Sequence, residues 1–172
     1  MLLFKLFLIN SLVICSSIKM RKMYFHKCIP RVGLLICLML SSLPDMQAQK
    51  SAVVLLAGYH HTPPVPSPGT GSVTVTLRED TISVKGYFNQ LSSPFYGSYI
   101  HYGRKGESGN QIIKLEPRLN EDNTGGAFDP ENNRRVLTKS QLQALAEGHL
   151  YINIYSIKYP RGELRGQIPP LK

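Results

Sequence analysis

From residue 50 to its end the chain has no cysteine; Cys15, Cys28 and Cys37 all lie nearer the start. That absence excludes a disulfide framework, thiol catalysis and thiolate metal sites for this stretch, so its fold must rest on a buried core. Other signatures are missing too. There is no phosphate-binding loop, no dinucleotide fingerprint and no His-Glu-x-x-His. Gly103-Arg104-Lys105-Gly106 is too short for a phosphate cradle, lacks the strand–loop–helix setting, and reads as a strand connection. No internal repeat or low-complexity run is present. Charge of one sign is not in large excess. From Lys50 onward 14 Lys and Arg face 10 Asp and Glu, a net of +4 against +9 for the whole chain. Nor do aromatics interleave with basic residues, so nucleic acid is not the expected partner.

Much of the net positive charge sits in residues 1–49, which have the layout of a secretory signal peptide. Arg21, Lys22, Lys27 and Arg31 form a basic region, Val32 to Leu43 an apolar run, and Ala48 supplies a small residue near the expected cleavage site. Translation is expected to start at Met20 or Met23, with the apolar run Leu2 to Ile18 an upstream artefact. The rival reading is an uncleaved membrane anchor, which Lys5, Asn10 and its short length disfavour. Ile14 and Ile36 precede Cys15 and Cys37 where lipid attachment wants a small residue. Residues 50–172 are then one exported domain, periplasmic, cell-surface or secreted, of a size that buries about two thirds of its surface.

Alternation dominates that domain. Ala52 to Gly58 is continuously apolar and reads as a strand buried on both faces. His60 to Thr70 carries Pro63, Pro64, Pro66 and Pro68, which suit an extended surface connection. Val73, Val75 and Leu77, then Ile82, Val84 and Phe88, alternate with polar residues around Arg78-Glu79-Asp80-Thr81; pairing Leu77 with Ile82 makes a hairpin of consistent parity. Gly97 to Tyr102, Gln111 to Glu116 and Arg134 to Leu137 read as further strands, and Pro117 to Asn133 as mostly loop. Thr138 followed by Gln141 is a capping box, Leu142 and Leu145 share a face, and Gly148 supplies a stop, which together predict one short helix. The last strands form a second hairpin. Leu150, Ile152 and Ile154 alternate with Tyr151, Asn153 and Tyr155, and Leu164 and Ile168 with Glu163, Arg165 and Gln167. A three-residue Pro160-Arg161-Gly162 loop would pair Tyr159 with Glu163 and set Ile154 against Ile168. Strands spaced by turns with one helix predict an antiparallel β-sandwich or flattened barrel.

Two constellations carry potential function. Asn153, Tyr155, Glu163, Arg165 and Gln167 make a polar recognition patch, or a structural one in which Arg165 bonds Glu163 or a loop carbonyl. His101 is a candidate metal ligand, with Glu163, Tyr155 or His60 as partners; the alternative is an ordinary half-exposed histidine. Tyrosines are numerous. Tyr87, Tyr96, Tyr99, Tyr102, Tyr151, Tyr155 and Tyr159, with Phe95, suit a partner surface, or else cover the second sheet or pack beneath the 117–133 loop.

Several segments, in order, resemble the CHRD domain, the module repeated in chordin and present singly in many bacterial exported proteins. They are Leu56-Ala57-Gly58, Pro63-Pro64-Val65, Tyr99-Ile100-His101-Tyr102-Gly103, Tyr151-Ile152-Asn153-Ile154, Tyr159-Pro160 and above all Gly162-Glu163-Leu164-Arg165-Gly166-Gln167-Ile168. The resemblance spans about Ala52 to Ile168. It implies an all-β, immunoglobulin-like or superoxide-dismutase-like sandwich. It also implies a non-enzymatic binding or structural module without cofactor, whose partner is a protein or glycan. Where relatives commonly have Asn-x-His-Thr, this chain has Asn153-Ile154-Tyr155-Ser156, which alters any family site that pairs that histidine with the one matching His101.

Overall fold

The structure is a computed structural model and describes residues 49–172. The leader, its cysteines and the Leu2–Ile18 run lie outside the described residues. Ten strands and one helix follow in order: β1 (Lys50–Ala57), β2 (Thr70–Arg78), β3 (Thr81–Asn89), β4 (Phe95–Tyr102), β5 (Gln111–Lys114), β6 (Pro117–Leu119), β7 (Gly126–Phe128), β8 (Arg134–Val136), α1 (Lys139–Glu147), β9 (Leu150–Ser156) and β10 (Leu164–Ile168). The strands pair in the order β5-β4-β9-β10-β1-β2-β3-β7-β6, with β8 also on β3, and every pair is antiparallel. One side of this connected sheet carries the whole apolar core. Val54 and Leu56, Val75 and Val84, Ile100, Ile152, Leu164 and Ile168 all join one buried cluster. A single sheet can bury one face against itself only by curling, and the twist of antiparallel strands supplies the curl. The all-β antiparallel architecture with one short helix is as expected. No helix among the described residues is long and apolar enough to cross a membrane.

Local chemistry explains most elements. β2 and β3 pair Leu77 with Ile82 and Val75 with Val84, as the alternation required, around a two-residue turn in which Glu79 takes φ 54°. In α1 the Thr138 hydroxyl accepts the Gln141 N–H while the Gln141 side chain accepts the Thr138 N–H. Gly148 ends the helix in the left-handed conformation at φ 72°.

Three expectations are corrected. β1 is buried on one face only. Val54 and Leu56 enter the core, but Val53 and Leu55 are 63% and 60% exposed, because no second layer covers the outer side of that strand. The segment 117–133 contains two strands, since Asn120 and Gly125 close a turn through backbone and side-chain hydrogen bonds and bring β6 against β7. The last hairpin keeps the expected facing but not the expected register: Ile154 pairs with Leu164, and Ile168 with Leu150. Residues 157–163 form a compound loop instead of a three-residue one. Ile157 N–H donates to the Pro94 carbonyl and Lys158 N–H to the Ser93 hydroxyl, which draws the tip onto the β3–β4 connection. A shift of an even number of residues preserves which face each side chain takes, so parity survived where register did not.

Candidate functional site

The outer side of β4, β9 and β10 collects most of the residues singled out above. The register sets His101, Tyr151 and Gln167 in one row across the three strands, and Tyr99, Asn153 and Arg165 in the next. This side is not solvated. Two connections, 58–69 and 103–110, lie over it, so every residue of β9 is buried on both faces. His101, Asn153, Glu163 and Arg165 are each at most 4% exposed.

His101 is held at both ring nitrogens. Nδ1 lies 2.9 Å from the Gly109 carbonyl, which can only accept, so Nδ1 carries the proton. Nε2 is then free to accept the Tyr155 hydroxyl at 2.7 Å. Burial is the largest cause that lowers the His101 pKa; the Gly109 carbonyl opposes it, and the nearby Arg165 charge reinforces it. Burial likewise raises the Tyr155 pKa. The pair is a neutral imidazole and a neutral phenol.

Tyr151 stacks on His101 with ring centroids 4.9 Å apart, and its hydroxyl accepts the Gly109 N–H. The Arg165 guanidinium lies over the Tyr151 ring, 3.7 Å from its centroid. Of the partners expected for Arg165, the loop carbonyl is the one found: Nη2 donates to Arg104 O at 2.9 Å. No carboxylate of the described residues reaches ion-pair distance of it. The aromatic face and the carbonyl take the place of a counter-ion. Gln167 gathers three carbonyls on its amide nitrogen, those of Gly103, Gly148 and Leu150, at 3.0, 2.8 and 3.1 Å.

Glu163 faces elsewhere. Its Oε1 accepts the Ser67 hydroxyl at 2.5 Å and the Ser92 N–H at 2.7 Å, which ties the proline-rich connection to the β3–β4 connection. Burial pushes this carboxyl pKa up, but donors from Ser156, Ser67 and Ser92 together outweigh it and hold it below its ordinary value. Asn153 touches the hairpin loop through Arg161 O. Gly162 closes that loop at φ 120°, and a Cβ there would stand 2.4 Å from Asn153 Oδ1 and 2.6 Å from His61 Nε2. Gly166 is equally confined: a Cβ would meet Val54 Cγ1 at 2.5 Å and the Leu55 carbonyl at 2.6 Å, so β10 approaches β1 only without a side chain. Every position of Gly162-Glu163-Leu164-Arg165-Gly166-Gln167 therefore has a packing or hydrogen-bonding duty.

The structure thus joins Asn153, Tyr155, Arg165 and Gln167 with His101, and separates Glu163 from them. His60 reaches the Arg165 carbonyl, not His101. Among the described residues no group of three or more His, Cys, Asp or Glu is placed to hold a metal ion. The tyrosines divide. Tyr151 and Tyr155 are packed beneath loops, the blander of the two expectations, though beneath 58–69 and 103–110 and not beneath 117–133. Tyr87, Tyr96 and Tyr102 are 55%, 71% and 51% exposed, as is Tyr59 at 70%. They do not share one hollow; Tyr87, Tyr59 and Tyr102 each line a different one. Sequence reasoning missed Ser67 and Ser92 as carboxylate donors and Tyr151 as the ring between His101 and Arg165. Parity with Asn153 and Tyr155 was the available signal for Tyr151; nothing local marked the serines.

The structural reading of the closing motif has a counterpart in the family comparison: the CHRD domain model matches residues 52–168. Neither the curated proteins nor the solved structures yielded a match. With the match running from β1 through β10, the chain belongs to the CHRD domain family.

Proposed function

We propose that the chain is an exported, non-enzymatic CHRD module that binds a protein or glycan, with residues 1–49 as its cleaved leader and residues 50–172 as the working domain. One observation carries this reading: three of the polar side chains on the outer side of the closing hairpin and its neighbour β4 are engaged inside the protein. His101, Arg165 and Gln167 spend their polar atoms on loop carbonyls and on Tyr155. A catalytic constellation leaves a base or nucleophile facing open space; a scaffold does not. What this scaffold holds in place is its loops. The 58–69 connection and the 157–163 loop enclose a groove of about 810 Å³ between Pro63, Pro66, Tyr155, Tyr159 and Arg161. Hollows of this size between rigidly held loops are ordinary sites of recognition.

The rival is a metal-dependent site at His101. It would require Tyr155 to surrender Nε2, since the Gly109 carbonyl can stay on Nδ1–H. Elemental analysis of the purified protein separates the two: sub-stoichiometric zinc and copper are expected. One equivalent of either metal, lost in His101→Gln, would establish the rival. N-terminal sequencing of protein recovered from envelope and medium tests the export reading, with a start near Gln49 expected.

A further inference from the structure

The hairpin β2–β3 has an outer side of the opposite character. Ser72 stands opposite Tyr87, Thr74 opposite Lys85, and Thr76 opposite Ser83, alternating with the core pairs Val75–Val84 and Leu77–Ile82. These side chains line a trough of about 710 Å³, with Arg78 and Arg134 at its margin. No loop lies over it. Ser72, Thr74, Thr76 and Ser83 make no side-chain hydrogen bond with another described residue, and Lys85 pairs with no described acid. Arg78 reaches only Gln49, and Arg134 only the exposed Glu131 at 3.7 Å. Glu79 is the one acid in the lining, against three cations.

We propose that this trough binds a carboxylated polysaccharide, a polyuronate chain lying along the strands. The proposal rests on the reading of the chain as a non-catalytic binding module and names a ligand class for it. Four argued features select the ligand. Half-buried hydroxyls along the floor can exchange hydrogen bonds with sugar hydroxyls. Exposed cations at the sides match carboxylates, and guanidinium groups suit them in particular. Tyr87, 55% exposed, offers a ring face to a sugar ring at one end. From Ser72 to Arg78 the trough runs about 20 Å at roughly 3.3 Å per residue, long enough for several rings. A single-stranded nucleic acid would want several stacking aromatics and denser cations. A protein partner would want a buried apolar cluster as anchor, and the trough offers only Tyr87 and Pro130.

The test is calorimetric titration of the purified protein with a defined oligogalacturonate, with a neutral malto-oligosaccharide of equal length, and with dextran sulfate. Saturable binding of oligogalacturonate alone is expected, weakened about tenfold by Lys85→Ala and again by Tyr87→Ala. Lys114→Ala and Lys139→Ala, exposed cations that line neither groove, should leave it unchanged. All four positions are at or near the surface, so unaltered melting temperatures are expected and verify the fold. Equal binding of the neutral oligomer or of dextran sulfate overturns the proposal, as does insensitivity to Lys85→Ala and Tyr87→Ala. Absence of oligogalacturonate binding in a protein that still captures another glycan or protein overturns this ligand and leaves the binding-module reading standing. Release of new reducing ends during the titration would instead overturn the non-enzymatic reading.

Discussion

Glu163→Gln removes a buried charge while keeping the side chain's shape, and its effect can be worked out from two hydrogen bonds. The wild-type carboxylate is fully buried and accepts from Ser67 and Ser92 through Oε1. A hydrogen bond to a charged group contributes about 1.5–3 kcal/mol and a neutral one about 0.5–1.5, so neutralising the acceptor forfeits roughly 1 kcal/mol at each of the two. The lower desolvation cost of an amide returns part of this. The net loss expected at pH 7 is about 1–2 kcal/mol. Glu163→Ala, which strands the Ser67 hydroxyl and the Ser92 N–H, should cost about 3–5 kcal/mol. The pH dependence is more diagnostic than the magnitude. The folded carboxyl titrates below its unfolded value of 4.5. Its contribution is therefore complete above that pH and disappears as pH falls through the lower folded value. Urea unfolding of both proteins from pH 7 to pH 3 should show a stability difference that is constant above about pH 5 and closes below 4.5. Other carboxylates cancel in the difference. A gap that does not change with pH, or a glutamine variant more stable than wild type at pH 7, would mean that desolvation outweighs the hydrogen bonds to the carboxylate, and the account of this site would fail.

Further outcomes follow from the same geometry. Gly162→Ala should lose about 1–3 kcal/mol from the φ 120° backbone alone, and more where the new methyl meets Asn153 and His61; chemical denaturation measures it. Gly166→Ala should also cost at least 1–3 kcal/mol as an overpacking substitution, because the Leu55 carbonyl it meets is backbone and cannot rotate away. Burial, first among the causes, lowers the pKa of both His61 and His101 below 6.5. The unfolded chain thus takes up protons before the native one does. Melting temperature should fall as pH drops below about 6.5, and His101→Gln should flatten that slope; an unchanged slope would show that His101 binds its proton equally in the folded and unfolded chain. Thr138→Ala should lower stability by about 1 kcal/mol by removing the cap of α1, and Thr138→Ser should restore most of it.

The parts of the fold that could be read from the chain were those fixed by neighbours in sequence. Leu77 and Ile82 determine the β2–β3 register because only two residues separate the strands. Thr138, Gln141 and Gly148 determine both ends of α1 because capping is local. The closing hairpin was legible in parity and not in register, since its loop is drawn out by Pro94 and Ser93, more than sixty residues earlier. β1 was misread for a related reason. Val53 and Leu55 are as apolar as Val54 and Leu56, and only the absence of a covering layer makes them exposed.

The same distinction governs what the polar residues mean. Arg165 and Gln167 on one strand, and Thr74 and Lys85 on the β2–β3 pair, are equivalent in sequence: polar side chains alternating with core residues. Tertiary structure separates them. Loop 103–110 brings carbonyls to Arg165, Gln167 and His101, loop 58–69 sets His60 on the Arg165 carbonyl, and these three side chains are thereby engaged inside the protein. No loop crosses Thr74 and Lys85, so their hydrogen-bonding capacity is spent on water and is available for exchange. A motif rich in polar residues can thus be the most structural part of a domain, while its recognition chemistry sits on a less distinctive hairpin. By this argument Arg165→Met should be read first in stability and Lys85→Ala first in binding. A Lys85→Ala variant that melts well below wild type, or an Arg165→Met variant of unchanged stability, would show that coverage by loops is the wrong criterion.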